Sequence, residues 1–205
     1  MIVSEKQLSY YENFQEIEKK LWSLLIEAVK DRDSEFRTPV FICGDNKDLD
    51  GRVVVLRKAD QKNNFVQFHS DIRSSKIKKI KKNPNCSLLF YGKKEKIQLR
   101  LKINSQINFN NDVSKKSWEK TGHISRKCYL VANGPGTISD KPTSGLSGKF
   151  DNFDYTKQES EEGYKNFCVI KCNITSIEWL YLAAKGHRRA LIDLKGIKKF
   201  SWLVP

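Results

Sequence analysis

No run of the 205-residue chain approaches the ~18 consecutive apolar residues that a membrane-spanning helix needs, so no transmembrane helix is expected. The N-terminus, MIVSEKQLSYYENF, lacks a basic stretch followed by an apolar one, and no signal peptide is expected. There is no CxxC pair, no GxGxxG, no Walker A and no HExxH. A Rossmann or P-loop nucleotide site is therefore without sequence support. Internal repeats and low-complexity tracts are also missing. The five cysteines are an odd number: Cys43, Cys86, Cys128, Cys168 and Cys172. Cys168 and Cys172 fall in FCVIKC, which reads as a strand. Four residues at ~3.3 Å rise put them about 13 Å apart, too far for a disulfide. Buried free thiols in a reducing cytoplasm are the expectation.

What is present is 39% hydrophobic and 30% charged residues, a composition that favours a folded globular chain over disorder. The length suits a single domain over 1–205. Within it we expect an N-terminal helical part (1–33), a barrel core (34–110), helices and a loop (111–160) and C-terminal strands (161–205). The net charge of +14 attracts polyanions, phosphorylated ligands or anionic surfaces. Most lysines outside the motifs below read as solvated.

Apolar residues at three- and four-residue spacing from Leu8 to Val29 predict a helix over 7–31. Strands are expected over Thr38–Cys43, Arg52–Leu56 and Phe65–Ser70, with the polar turns GDNKDLDG and KADQKNN between them. A helix capped by Asp71 or Ser74 then runs to Asn83-Pro84. Cys86–Tyr91 and Lys96–Ile107 give two more strands. In the second, Ile97, Leu99, Leu101 and Ile103 alternate with Gln98, Arg100, Lys102 and Asn104, which predicts one buried and one polar face. Two short helices are expected over 111–132. The stretch 133–158, with Gly134-Pro135-Gly136, is too long for an ordinary connector and reads as a cover or a mobile segment. Three strands close the chain. Antiparallel strands with sparse helices predict a mainly β (α+β) fold closed as a barrel.

RVVVLR puts Arg52, Val54 and Leu56 on one strand face and Val53, Val55 and Arg57 on the other. Downstream, FHS leads into the helix opening RSSK. Unpaired N–H groups at a helix start, with Ser74, Ser75 and Lys76 beside them, suit an anion such as phosphate. Arg52 from a neighbouring strand would complete the site.

These residues, with NPNCSLLF and Gln98 at their spacing, resemble the pyridoxamine 5′-phosphate oxidase-like family of FMN-binding split barrels, an antiparallel Greek-key fold. The form looks closer to relatives of the oxidase than to the oxidase itself. The resemblance implies that Arg52 and Lys76 hold the FMN phosphate, with Ser75 where the oxidases carry a second phosphate-binding arginine and Arg73 near enough to replace it. Val53, Val54 and Leu56 would line the flavin ring, His69 and Ser70 would contact the ring and ribityl chain, and Gln98 would hydrogen-bond the flavin. On the substrate side it implies Arg57, Arg126 beside Ser125, His187 and Arg188, with Trp179 near the flavin or in the core. It implies a homodimer with FMN at the interface, an oxidoreductase acting on a small anionic substrate, and no membrane partner. Two alternatives stand beside it: a flavin carrier without turnover, and a basic nucleic-acid-binding barrel.

Overall fold

The computed structural model describes residues 12–45, 48–152 and 154–205. Leu8 and Tyr11, part of the expected first helix, lie outside the described residues, as do positions 46 and 47 of the first polar turn. Helix α1 runs Phe14–Lys30. It begins where Asn13 is extended and its side chain accepts the Glu16 N–H, so within the described residues the helix starts later than the periodicity suggests. Ile17, Leu21, Trp22, Leu24, Leu25 and Ala28 are buried against the sheet. Each large side chain so buried contributes about 1.5–3 kcal/mol. After α1, Phe36 in a short 3₁₀ turn stacks on Phe90 at 6.3 Å.

The strands are β1 (Val40–Cys43), β2 (Asp50–Val53), β3 (Leu56–Asp60), β4 (Phe65–Asp71), β5 (Asn85–Gly92), β6 (Ile97–Phe109), β7 (Phe167–Tyr181), β8 (Arg188–Asp193) and β9 (Lys199–Leu203). All pairings are antiparallel. The order is β2-β1-β5-β6-β7-β4-β3, with β8 and β9 branching from β7. The first and last strands of that order are consecutive in sequence, so Val54 and Val55 bridge its two ends and curl the sheet into a split barrel. The alternation expected on β6 is observed: Ile97, Leu99, Leu101 and Ile103 are buried, while Arg100, Lys102 and Asn104 are exposed.

The expected single strand Arg52–Leu56 is corrected to two. Val53 pairs with Val40, and the Val54 N–H reaches Pro39 O at 3.0 Å. Pro39 has no N–H to return, so the ladder stops and the chain turns to β4. Lys58–Asp60, expected in a turn, belong to β3, and a register shift between Leu56 and Lys58 leaves Arg57 in a bulge.

Helix α2 (Ser75–Lys82) follows β4, α3 (Asp112–Glu119) and α4 (His123–Arg126) follow β6, and α5 (Gly148–Asp151) lies in the expected loop. Residues Glu159–Asn166 form a 3₁₀ segment that the sequence reading left unassigned. A second, smaller core of Trp118, Tyr129, Phe167 and Val169 forms outside the barrel, under α3. All five cysteines are free, with Cys128 alone among them exposed. No helix of the described residues is long and apolar enough to cross a membrane.

Candidate functional site

Register partners in antiparallel strands share a face. Arg52 therefore ends a row that continues through Phe41, Leu88, Leu101, Ile177 and Ile192. All five of those are buried and apolar. A guanidinium at the end of such a row has one polar direction left, towards the start of α2. There Arg52 donates to Ser74 Oγ (3.4 Å) and Ser75 Oγ (3.2 Å) and pairs with Asp50. Lys76, in the first turn of α2, donates to Ser70 Oγ and Ser74 Oγ, both at 2.9 Å. Ser74 is the N-cap residue, but its side chain makes no capping bond. Its hydroxyl serves the two cations instead, and the first amides of the eight-residue α2 keep their N–H groups free of a side-chain cap.

The electrostatics of this cluster suit an anion. Burial, and then the positive charge of Arg52, push the Lys76 ammonium below the ordinary lysine range. Arg52 Nε is buried with no hydrogen-bond partner. Two cations thus converge on one serine hydroxyl, with Asp50 as the carboxylate paired to Arg52. A phosphate dianion would supply what is missing: an acceptor for the orphan N–H and a counter-charge for Lys76, which has no ion pair among the described residues. The residues present therefore fit the phosphate of FMN. Arg73 does not share in this. It makes a two-pronged pair with Asp71 (3.0 and 2.7 Å) and donates to Val131 O and Ala132 O, pinning the segment after α4.

His69 and Ser70 are neighbours on β4 and so point to opposite faces. Ser70 faces Lys76. His69 faces outward, with Arg57, into a cleft beneath α3. Burial, and then the Arg57 charge, push the His69 imidazole down to about 3. Arg57 also lines a second cavity of about 850 Å³, bounded by Ser125, Cys128 and the 133–146 segment. Its Nε is likewise buried and unpartnered. The long loop is thus the wall of a cavity, held by the Ala132 N–H to Gly145 O bond (3.0 Å) as well as by Arg73.

Other expected residues lie elsewhere. Val54 (8% exposed) and Leu56 (2%) are in the core, and Val53 (63%) is on the outer face. Gln98 is also on the outer face, between Tyr91 and Leu180 in register, and does not join the Arg52–Lys76 cluster of its own chain. His187 accepts the Ala183 N–H on Nδ1 at 3.0 Å. With Arg188, which pairs with Glu12, it lines a separate pocket against Trp202. Trp179 is a core residue at 1% exposure.

Arg126 requires a correction. It is 1% exposed, lies 4.4 Å over the Trp118 ring, and donates to Thr121 O, Trp118 O, Ser160 Oγ and Glu161. Every nitrogen of the guanidinium is used inside the fold, so the geometry leaves none for a substrate. The Trp118 ring face, the Glu161 carboxylate and the two backbone carbonyls together hold this arginine inward rather than towards the cavity. Asp50 was missed. Its signal was present: Asp50 is two residues before Arg52 and so on its strand face.

Residues 21–108 match the family model described as pyridoxamine 5′-phosphate oxidase, FMN-binding domain. Among solved structures, the chain resembles a pyridoxamine 5′-phosphate oxidase-related, FMN-binding protein from Nostoc punctiforme PCC 73102. The TM-score is 0.73 at 16% identity, over 91% of this chain and 97% of that one. PhzG from Burkholderia lata 383, solved with tetrahydrophenazine-1-carboxylic acid, gives 0.72 at 13% identity, over 98% of both chains. At these identities the structural likeness shows the fold. No curated protein matches the chain by sequence. The sequence match and the phosphate cluster lead to one conclusion: residues 21–108 are similar to the FMN-binding domain of pyridoxamine 5′-phosphate oxidase, on a split-barrel fold, with FMN as the cofactor.

Proposed function

We propose that the protein is an FMN-dependent oxidoreductase that acts on a small anionic substrate and holds its flavin between two copies of the chain. The observation that carries this reading is the pairing of a phosphate cluster, Arg52 and Lys76, with an unpartnered cation, Arg57, in a neighbouring cavity. Bound FMN supplies hydride acceptance from a reduced donor. The chain's own residues bind and orient. Arg52 and Lys76 fix the phosphate, and Arg57 offers its guanidinium to an anionic group. His69, neutral at any pH well above about 3, is a hydrogen-bonding wall and not a proton donor of imidazolium type. The 133–146 segment limits water access to the Arg57 cavity.

Two features support a homodimer. Gln98, His187 and Arg188 lie apart from the phosphate cluster of their own chain, and a second copy is the economical way to bring such residues to one cofactor. The outer row Val53–Val40–Leu89 is apolar and incompletely buried, continuing to the Arg100–Glu178 pair. Free cysteines, four of them buried, accord with a reducing cytoplasm.

An absorbance spectrum of the native protein with mass identification of the released cofactor tests the flavin. Light scattering tests the dimer: a particle of one 23.8 kDa chain carrying a full complement of FMN would refute the shared site. Loss of substrate charge at Arg126 favours a second reading, a carrier without turnover. Reduction of bound FMN by NAD(P)H or by pyridoxamine phosphate separates the two. On the basic helix, Lys79 and Lys82 are engaged by Asp48 and Asp45, which weakens the nucleic-acid alternative.

A further inference from the structure

Two of the four buried cysteines meet at the ends of neighbouring strands. The β1–β5 register pairs Val40 with Leu89, Phe41 with Leu88 and Ile42 with Ser87. One step further it sets Cys43, the last residue of β1, opposite Cys86 in β5. Both side chains point into the core with Phe41 and Leu88, at 2% and 6% exposure. The hydrogen-bond phase of the strands fixes how close they come. Val54 N–H bonds to Pro39 O, so Phe41 and Cys43 turn their backbone groups towards β2 and away from β5. Ser105 N–H bonds to Pro84 O, so Cys86 turns its own towards β6 and away from β1. Cys43 and Cys86 are therefore a non-hydrogen-bonded cross-strand pair. The Cα atoms of such a pair lie about 4.5 Å apart, within the roughly 4.4–6.8 Å that a disulfide spans. Their Cβ atoms need to approach by less than about 1 Å. The ladder ends here, which allows that adjustment: Gly44 O and Asn85 N–H bond to the Asn83 side chain (3.2 and 3.0 Å) and not to each other. Cys172 does not compete, since β6 separates it from Cys86 by two strand spacings of ~4.8 Å.

We propose that Cys43 and Cys86 are a redox pair that hydrogen peroxide closes into a reversible disulfide, stapling β1 to β5. The Cys43 thiolate attacks one peroxide oxygen, the O–O bond breaks, and the departing hydroxide takes up a proton to become water. The Cys86 thiolate then attacks the sulfenic sulfur of Cys43. The S–S bond forms, the S–O bond breaks and a second water leaves. Two thiols lose two electrons and two protons, and the peroxide is reduced to two waters. Burial pushes both thiols up; the charges of Arg52, Lys79 and Lys76 oppose it at Cys43, and the Ser105 hydroxyl opposes it at Cys86. Cys43, beside the cations, is thus the first to react. Both thiols are covered, so the oxidant enters when the strand ends open at Gly44 and Asn85, where no ladder bond has to break. The disulfide closes the segment 44–85, which carries Asp50, Arg52, Ser70, Ser74, Ser75 and Lys76. Oxidation therefore restrains the part of the unfolded chain that bears the whole phosphate cluster, and the stabilisation by a disulfide grows with the length of the loop it closes.

The test treats the reduced protein with increasing hydrogen peroxide, then alkylates it and maps its tryptic peptides by mass spectrometry. Thiols titrated in denaturant should fall by two from the five of the reduced chain. A cross-link that dithiothreitol reverses should join the peptides of Cys43 and Cys86. The oxidised protein should melt about 5 °C or more above the reduced one. Cys86→Ala should lose both the cross-link and the rise in Tm, and Cys128→Ser, which removes the exposed thiol, should keep both. The proposal is overturned if the buried thiols persist while added glutathione is consumed. It is also overturned if Cys43 or Cys86 gains oxygen without a cross-link, or if the cross-link joins another pair. A Cys43–Cys86 disulfide with an unchanged Tm overturns the stapling role. None of these readouts needs bound flavin, so a colourless protein that forms the disulfide refutes the flavin reading and supports this one.

Discussion

Replacing Lys76 by Met should separate ligand binding from stability. In the free protein the ammonium makes two hydrogen bonds, to Ser70 and Ser74 at 2.9 Å. Each, being charge-assisted, is worth about 1.5–3 kcal/mol. Against them stand the cost of burying the charge and its repulsion by Arg52, the two leading causes of its lowered pKa. Met keeps the aliphatic stem, and Ser74 Oγ keeps its bond from Arg52. We therefore expect the flavin-free variant to unfold within about 1 kcal/mol of the wild type. The phosphate complex has no such compensation. One charge-assisted bond to a phosphate oxygen is worth about 1.5–3 kcal/mol, so FMN affinity should fall roughly 10- to 150-fold. The pH behaviour follows from the sign of the shift. A lysine with a folded pKa below its unfolded one disfavours the fold while protonated. The stability of the flavin-free wild type should thus rise, relative to Lys76→Met, as pH climbs from the depressed pKa towards the ordinary lysine value. Flavin-fluorescence titration gives the affinity and scanning calorimetry gives the stability. An unchanged FMN dissociation constant, or a variant that fails to fold, would refute the reasoning.

Other outcomes are expected on the same grounds. Arg126→Met, which leaves Glu161 without its cation, with the Trp118 indole N–H still bonded to it, and empties four hydrogen bonds, should lower stability by about 3 kcal/mol or more, read as a fall in Tm. A stable variant with selectively lost substrate binding would restore its substrate role. His69 stays neutral in the fold down to about pH 3, while the unfolded chain protonates near 6.5. The stability it contributes is present above 6.5 and is lost progressively as pH falls from 6.5 towards 3. His69→Gln should flatten the acid limb of the stability profile by about one proton, and a parallel limb would count against the buried imidazole. A Cβ on Gly92 would collide with the Phe36 ring. Gly92→Ala should therefore cost about 1–3 kcal/mol in chemical denaturation, without altering the FMN affinity of the folded fraction.

The legible parts of the sequence were those set by local periodicity. The alternation on β6 and the helix start after β4 follow from residue spacing alone, and the structure bears them out; it also brings Ser74, Ser75 and Lys76 beside Arg52, while Arg73 turns to Asp71. Partner choice was not legible. Arg52–Leu56 has the pattern of one strand, yet its two halves pair with strands far apart in the sheet, because Pro39 ends one ladder and Phe68 begins another. Burial of charge was equally hidden. The resemblance assigns Arg126 to the substrate side, and its fate is decided by Trp118 and Glu161, which come to it only through tertiary packing. The 3₁₀ segment 159–166 has an acidic, uneven pattern that carries no period.

The strand order has a consequence for synthesis. Residues up to Phe109 supply β2-β1-β5-β6 as one sheet fragment and β3-β4 as another, and they have no hydrogen-bonded edge in common. What joins them is β7, which takes β6 on one side and β4 on the other and begins 58 residues after β6 ends, at Phe167. The phosphate cluster takes Arg52 from the first fragment, and Ser70 and the start of α2 from the second. A nascent chain thus emerges with every residue of that cluster already made and no sheet to hold the two halves together. Competence to retain FMN should therefore appear late, as a single step, when Phe167–Tyr181 leaves the ribosome and zips the fragments into one barrel.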